Sequence, residues 1–258
     1  DDDDTRKIAQ GFNVMAAAIE ERDRELQAMA ERTILKSEKL ASLGRLASGI
    51  AHEINNPLTG VLTYSSLLLE DLQGTEYAKD LEVIRDETLR CRKIVRGILD
   101  FARENVPEKI LADINAVLDN ALAILERNVH FQDIEIVREY DPDLPRIPVD
   151  VHQFTQVISN LAMNAADAMP GGGRLTLTTS FDREKRRIIL RIADSGTGIP
   201  PEHQVRLFEP FFTTKDKGKG TGLGLPVVYG IIRRHNGTID VKSAVGRGTE
   251  FTITLPAD

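Results

Sequence analysis

Apolar residues recur at alternating steps of four and three through Ile8, Phe12, Met15, Ile19, Leu26, Met29, Leu40, Leu43, Ala47, Ile50 and Ile54. Arg22, Thr33 and Lys36 fill the remaining positions of that seam. A run of about seven heptads exceeds an ordinary globular helix and predicts a helix coiled in parallel with a second copy. The polar positions leave the coil imperfect at its middle, which suits a helix that changes register to carry a signal. An amphipathic helix packed on its own domain is the plainer reading of the same pattern. Gly74 interrupts the periodicity, and Leu81, Ile84, Thr88, Cys91, Val95, Ile98 and Ala102 then repeat the spacing. A second helix folding back on the first gives a helical hairpin with Cys91 in its core. Its apolar stripe is too wide for one partner, so a dimeric four-helix bundle is expected. Pro107, in "ENVPEK", stops the second helix and opens a hinge over 104–109.

Past the hinge the period changes. Helical spacing predicts helices over 113–127, 150–168 and 223–235, and alternation predicts strands at "DIEIVREY", "RLTLTTS", "RRIILRIADS", "GTIDVKS" and "TEFTITLP". The expected architecture is an α/β sandwich, one helical layer over a mostly antiparallel sheet. Composition adds limits. The chain has 258 residues, enough for two domains. Its net charge of −7, without a basic stripe carrying aromatics, argues against a nucleic-acid surface. Cys91 is the single cysteine, so an internal disulfide and a Cys-based zinc cluster are excluded, and a reducing compartment fits. No apolar run approaches the ~18 residues of a membrane span, so the chain reads as soluble as given. "DDDD" at the start reads as a solvated, frayed end.

Two stretches break the sandwich pattern. In "TTKDKGKGTGLGL" (213–225) glycines and lysines interleave just before a helix. Glycine-rich backbone at a helix start cradles anions, because free N–H groups and the helix dipole both favour phosphate. Neither the P-loop nor the dinucleotide pattern is present, and alone the loop reads as flexible surface. Its company is more specific. Asn160 and Asn164 stand one helical turn apart in "NLAMNAADAM", and an amide oxygen is a hard neutral ligand suited to Mg²⁺ on phosphate. Asp194 opens "DSGTGIP" at a strand end, where it could accept from an exocyclic amine such as adenine's, with Gly196 and Gly198 allowing the ring close.

The heptad count leaves His52, in "SGIAHEINNPL", on the outward face beside Glu53, with Asn56 one turn on. A neutral imidazole nitrogen is a usable nucleophile near neutral pH, and an adjacent carboxylate raises its basicity. His130, His152, His203 and His235 read as surface residues. Pro57 removes a helical hydrogen bond next to this segment and is expected to soften or bend the helix there.

"SGIAHEINNPL", "NLAMNAADAM", "DSGTGIP", "LFEPFFTTK" and "GKGTGLGL" resemble, in order, the H, N, G1, F and G2 boxes of bacterial two-component sensor histidine kinases, from about residue 37 to the end. That resemblance implies a dimeric histidine-bearing hairpin followed by an ATP-binding sandwich of the gyrase and MutL type. It implies ATP and Mg²⁺, with Asn164 as metal ligand, Asn160 supporting the phosphates, Asp194 reading adenine, and Lys215 as the lid cation. Gly220, Thr221, Gly222, Leu223 and Gly224 would form the closing lid, anchored by Phe208, Phe211 and Phe212. His52 would accept the phosphoryl group with help from Glu53, and Asn56 would orient water for the reverse, phosphatase reaction. ATP-hydrolysing relatives carry a glutamate where Asn160 stands, and an amide cannot serve as a general base. The implied partners are a second copy and a response-regulator receiver domain.

The expected organisation is 1–36, a coiled signalling helix similar to the end of a HAMP linker; 37–106, dimerisation and histidine phosphotransfer; and 107–258, catalysis and ATP binding. A cytoplasmic part of a membrane-anchored receptor, its sensor absent here, is the expected setting, with a soluble sensor as the alternative. Two further readings remain: a conformational ATPase or nucleotide-gated dimeric scaffold, and a dimer that binds a partner without catalysis.

Overall fold

A computed structural model describes residues 53–102, 107–215 and 220–257. The predicted coil, His52 and residues 104–106 of the hinge lie outside the described residues. Helix α1 covers 53–71 and continues through Pro57. Pro57 has no N–H to give the carbonyl four residues back, and two hydroxyls then bond back along the helix: Thr59 Oγ1 donates to the Asn55 carbonyl at 2.8 Å and Thr63 Oγ1 to that of Thr59 at 2.9 Å. Gly74 turns the chain at φ 81, where a side chain would be strained, and α2 follows at Tyr77–Ala102. This is the expected hairpin. Thr88 and Val95 of its second-helix seam are buried, whereas Ile54, Tyr64, Leu67, Ile84 and Leu89 stand exposed. Cys91 corrects an expectation, since it is exposed rather than in the core.

The second domain runs β1 (Ile110–Ala112), α3 (Ile114–Leu125), β2 (Ile134–Glu139), β3 (Ile147–Val149), α4 (Val151–Asp167), β4 (Gly173–Asp182), β5 (Arg187–Asp194), α5 (Pro201–Gln204), α6 (Gly224–Arg234), β6 (Thr238–Ser243) and β7 (Thr249–Pro256). The sheet order is β2-β4-β5-β7-β6; among the described residues only β2 and β4 run parallel, and β1 pairs with β3 in a separate two-stranded sheet. Alternation drives one face inward, through Leu175 and Leu177 of β4, Ile188, Leu190 and Ile192 of β5, and Phe251, Ile253 and Leu255 of β7. The helices α3, α4 and α6 cover that face, α4 lying between the other two.

Helix α4 begins where Asp150 caps it, accepting the Gln153 N–H at 3.0 Å. Phe154, Val157, Ile158, Leu161, Ala162 and Ala165 then bury one stripe, so Asn160 and Asn164 fall on the stripe's margin, half-buried. His235 was expected at the surface and is 3% exposed. Its Nε2 accepts the Asp150 N–H at 3.0 Å while Nδ1 lies 2.8 Å from the Ile231 carbonyl, which assigns the proton to Nδ1. The ring meets Phe154 edge-on at 5.2 Å, tying the end of α6 to the start of α4.

Candidate functional site

A cleft of about 480 Å³ opens between α4, the 194–200 loop, residues 207–215 and 220–226, and helix α2. At one end lies Asp194, paired across the sheet with Leu175 on one side and Thr249 on the other. Its Oδ1 accepts two backbone N–H groups, from Gly196 at 2.8 Å and Thr249 at 3.2 Å. Burial pushes this carboxyl's pKa up and the two N–H bonds pull it back, so the group is a held, oriented acceptor.

The glycines after Asp194 are required by the protein's own backbone. A Cβ on Gly196 would sit 2.6 Å from the Ala168 carbonyl oxygen, and one on Gly198, whose φ is 69, only 2.0 Å from that of Ala244. Both make room for the protein's own backbone, which closes the loop against α4 and the β6–β7 turn.

At the other end, Asn160, Asn164 and Asp167 line the cleft from α4. Lys215 Nζ donates to Asn164 Oδ1 at 3.1 Å and to Asp167 Oδ2 at 2.5 Å. Asn160 Nδ2 donates to the Gly224 carbonyl at 3.4 Å, joining α4 to the first residue of α6. That helix start has no side-chain cap; Pro226 carries no N–H and the Val227 N–H donates to the Leu223 carbonyl, so the N–H groups of Gly224 and Leu225 are the ones available to an anion. Gly222 must be glycine: its φ is 65 and a Cβ would fall 2.4 Å from the Phe211 backbone. The Phe211 N–H donates to the Gly222 carbonyl at 2.9 Å, with Phe211 itself left-handed at φ 66. Thr221 Oγ1 accepts the Leu223 N–H at 3.4 Å. Leu223 is buried, so the segment 220–224 is pinned at its last turn.

The three phenylalanines divide. Phe208 packs on Tyr229 at 5.4 Å, and Phe212 lies against His203 at 5.7 Å with the Arg206 guanidinium 4.4 Å from its ring centre. The Phe211 ring, expected to anchor the lid, is exposed, and only its backbone does so. Glu53 and Asn56 are both exposed on α1, and neither lines the cleft. Asp167, Thr249, Arg90 and Lys93 line it without having been singled out from sequence. Asp167 was findable, lying three residues after Asn164 on one helix face. The two α2 cations were not, because only tertiary packing brings that helix here.

Residues 42–106 match the family described as the His Kinase A (phospho-acceptor) domain, and residues 149–258 match the histidine kinase-, DNA gyrase B-, and HSP90-like ATPase family. The chain is 39% identical over 255 residues to the sensor kinase CckA of Brucella abortus, covering 93% of this chain and 27% of that protein. It resembles the crystal structure of full-length ShkA in complex with AMPPNP at a TM-score of 0.69 and 28% identity, over 82% of this chain and 45% of that one. It also resembles the histidine kinase ThkA solved in complex with the response regulator TrrA, at a TM-score of 0.62 and 28% identity, over 86% and 64% of the two chains. The chain spans between 27% and 52% of the length of the curated relatives compared with it.

Proposed function

Because this chain belongs to the two-component sensor histidine kinases, we propose that His52 takes the γ-phosphoryl group of ATP and passes it to an aspartate of a response-regulator receiver domain. The observation that carries this reading is the two-ended cleft, with the oriented carboxylate of Asp194 at one end and amides, a lysine and an uncapped helix start at the other. A purine bearing an exocyclic amine suits the first end, and a polyphosphate suits the second.

The roles follow. Asp194 orients adenine; Asn160 holds the start of α6 toward the phosphates; Lys215 leaves α4 for a phosphate oxygen. The segment Gly220, Thr221, Gly222, Leu223 and Gly224 closes over the chain of phosphates. Asn164 is the residue suited to Mg²⁺, because its amide oxygen already faces a cation in the form of the Lys215 ammonium, with Asp167 alongside. Among the described residues no trio of acidic, His or Cys side chains forms a metal cage, so a cation held here shares its ligands with phosphate. Bound there, Mg²⁺ would supply charge neutralisation on the phosphates. The His52 ring nitrogen forms the new bond to phosphorus as the bond to the β–γ bridging oxygen breaks, and ADP leaves. Glu53 accepts the ring proton. Asn56 orients water for dephosphorylation of the regulator.

The uncovered apolar residues of the hairpin, Leu67, Ile84 and Leu89 among them, favour a homodimer closed as a four-helix bundle. The divisions 1–36, 37–106 and 107–258, a HAMP-like first segment, and a cytoplasmic setting within a membrane-anchored parent belong to the same proposal. Among the described residues no helix is long and apolar enough to cross a membrane. The second reading, a conformational ATPase or nucleotide-gated dimeric scaffold, shares the cleft; its hydrolytic form needs a water-activating base, and Asn160 is not one.

Incubation with γ-labelled ATP and Mg²⁺ tests the proposal. The chain should take up acid-labile, alkali-stable label that His52→Gln abolishes. Asn56→Ala should keep the label and slow regulator dephosphorylation; label surviving in His52→Gln would refute the nucleophile.

A further inference from the structure

Helix α2 forms one wall of the cleft. Arg90, Lys93 and Ile94, three residues of one helical face, line it together with Asn160, Asn164, Lys215 and Gly224. The contact is close further along the helix, where a Cβ on Gly97 would stand 3.2 Å from Leu223 Cδ1, and α2 packs against α6. Glycine at 97 therefore lets the hairpin lie directly on the end of the lid.

Among the described residues the charges on this wall are not matched from the other side. The cleft is lined, among the described residues, by two carboxylates. Asp167 is already paired with Lys215, and Asp194 is half-buried and engaged by two backbone N–H groups. Arg90 holds, among the described residues, only Glu87, at 3.0 Å on the surface of its own helix, a pairing that is readily exchanged. Lys93 is exposed and has no acidic partner among the described residues. Two cations thus face the space next to the uncapped start of α6.

We propose that Arg90 and Lys93 complete the nucleotide site by binding the polyphosphate from the hairpin side, so that bound ATP clamps α2 against the sandwich. This rests on the reading that the cleft binds ATP. Attraction grows with phosphate charge, so the clamp should grip ATP more firmly than ADP and should ignore AMP. Transfer of the γ-phosphoryl group would then loosen the two domains from each other.

The test is calorimetric titration of the whole chain with Mg²⁺ and AMPPNP, ADP or AMP, using Arg90→Gln, Lys93→Gln and the double variant. Each single change should weaken AMPPNP about three- to tenfold, ADP by less, and AMP not at all. Lys93→Arg should restore AMPPNP binding, and higher salt should shrink the differences. A merely structural role would weaken all three nucleotides alike, and that result overturns the inference. Equal AMPPNP binding by the variants and the unaltered chain also overturns it while leaving the ATP reading intact. Failure of the unaltered chain to bind AMPPNP overturns both.

Discussion

Replacing Asp167 by asparagine should raise the affinity for metal-free nucleotide, and should do so mainly through Lys215. In the described state the Lys215 ammonium sits on Asn164 and Asp167, where it is useless to a phosphate. Moving it breaks the pair. The two side chains are 33% and 34% exposed, so solvent screens them, and the Asp167 share is about 1 kcal/mol, the top of the range for exposed ion pairs. That corresponds to about fivefold in affinity. The Asp167→Asn change would also remove a negative charge near the phosphates, which favours binding whether or not Lys215 is present. A double-mutant cycle separates the two effects: AMPPNP binding is measured by calorimetry in EDTA for the unaltered chain, Asp167→Asn, Lys215→Met and the pair. The gain from Asp167→Asn should be about fivefold larger when Lys215 is present. If the gain is the same in both backgrounds, with a coupling under about 0.3 kcal/mol, Asp167 does not hold Lys215 back and the exchange is wrong.

Two further outcomes concern the frame around the site. Gly198→Ala forces a left-handed residue and a methyl into the Ala244 carbonyl, so unfolding in urea should show a loss of at least about 2 kcal/mol, whereas Gly171→Ala, with open space around it, should stay within about 0.5 kcal/mol. His235 is held neutral: burial lowers its pKa from 6.5, the nearby Lys109 and Arg234 act in the same direction, and the Ile231 carbonyl and Asp150 oppose them. The unfolded chain therefore binds the proton more readily. Stability should be full above about pH 6.5 and fall as pH drops through the folded value, by up to about 1.4 kcal/mol per pH unit, and a stability profile recorded for His235→Gln should be flatter over that range.

Much of this was legible along the chain because it depends on local periodicity. The strands "RRIILRIADS" and "TEFTITLP" alternate strictly, the helix over 151–167 shows its apolar stripe and its Asp150 cap, and Gly74 and Pro107 mark breaks. The ordered set from Asn160 to Gly224 was equally readable, since amides one turn apart and glycines before a helix carry their chemistry in spacing. The short strands β1 and β3 were not, because three residues hold too little pattern and become strands only by pairing with each other.

Most element types, and the motif residues Asn160, Asn164, Asp194 and Gly220 to Gly224, rest on neighbours a few positions apart, so the linear order of residues was enough to set them. Packing in three dimensions settled what each side chain meets. It buried His235 by setting the end of α6 on the start of α4, 85 residues away along the chain. It assigned Gly196 and Gly198 to backbone contacts, parked Lys215 on Asn164 and Asp167, and set Arg90 and Lys93 beside the cleft. Charge and close packing act through space, and no periodicity records which distant segment will arrive.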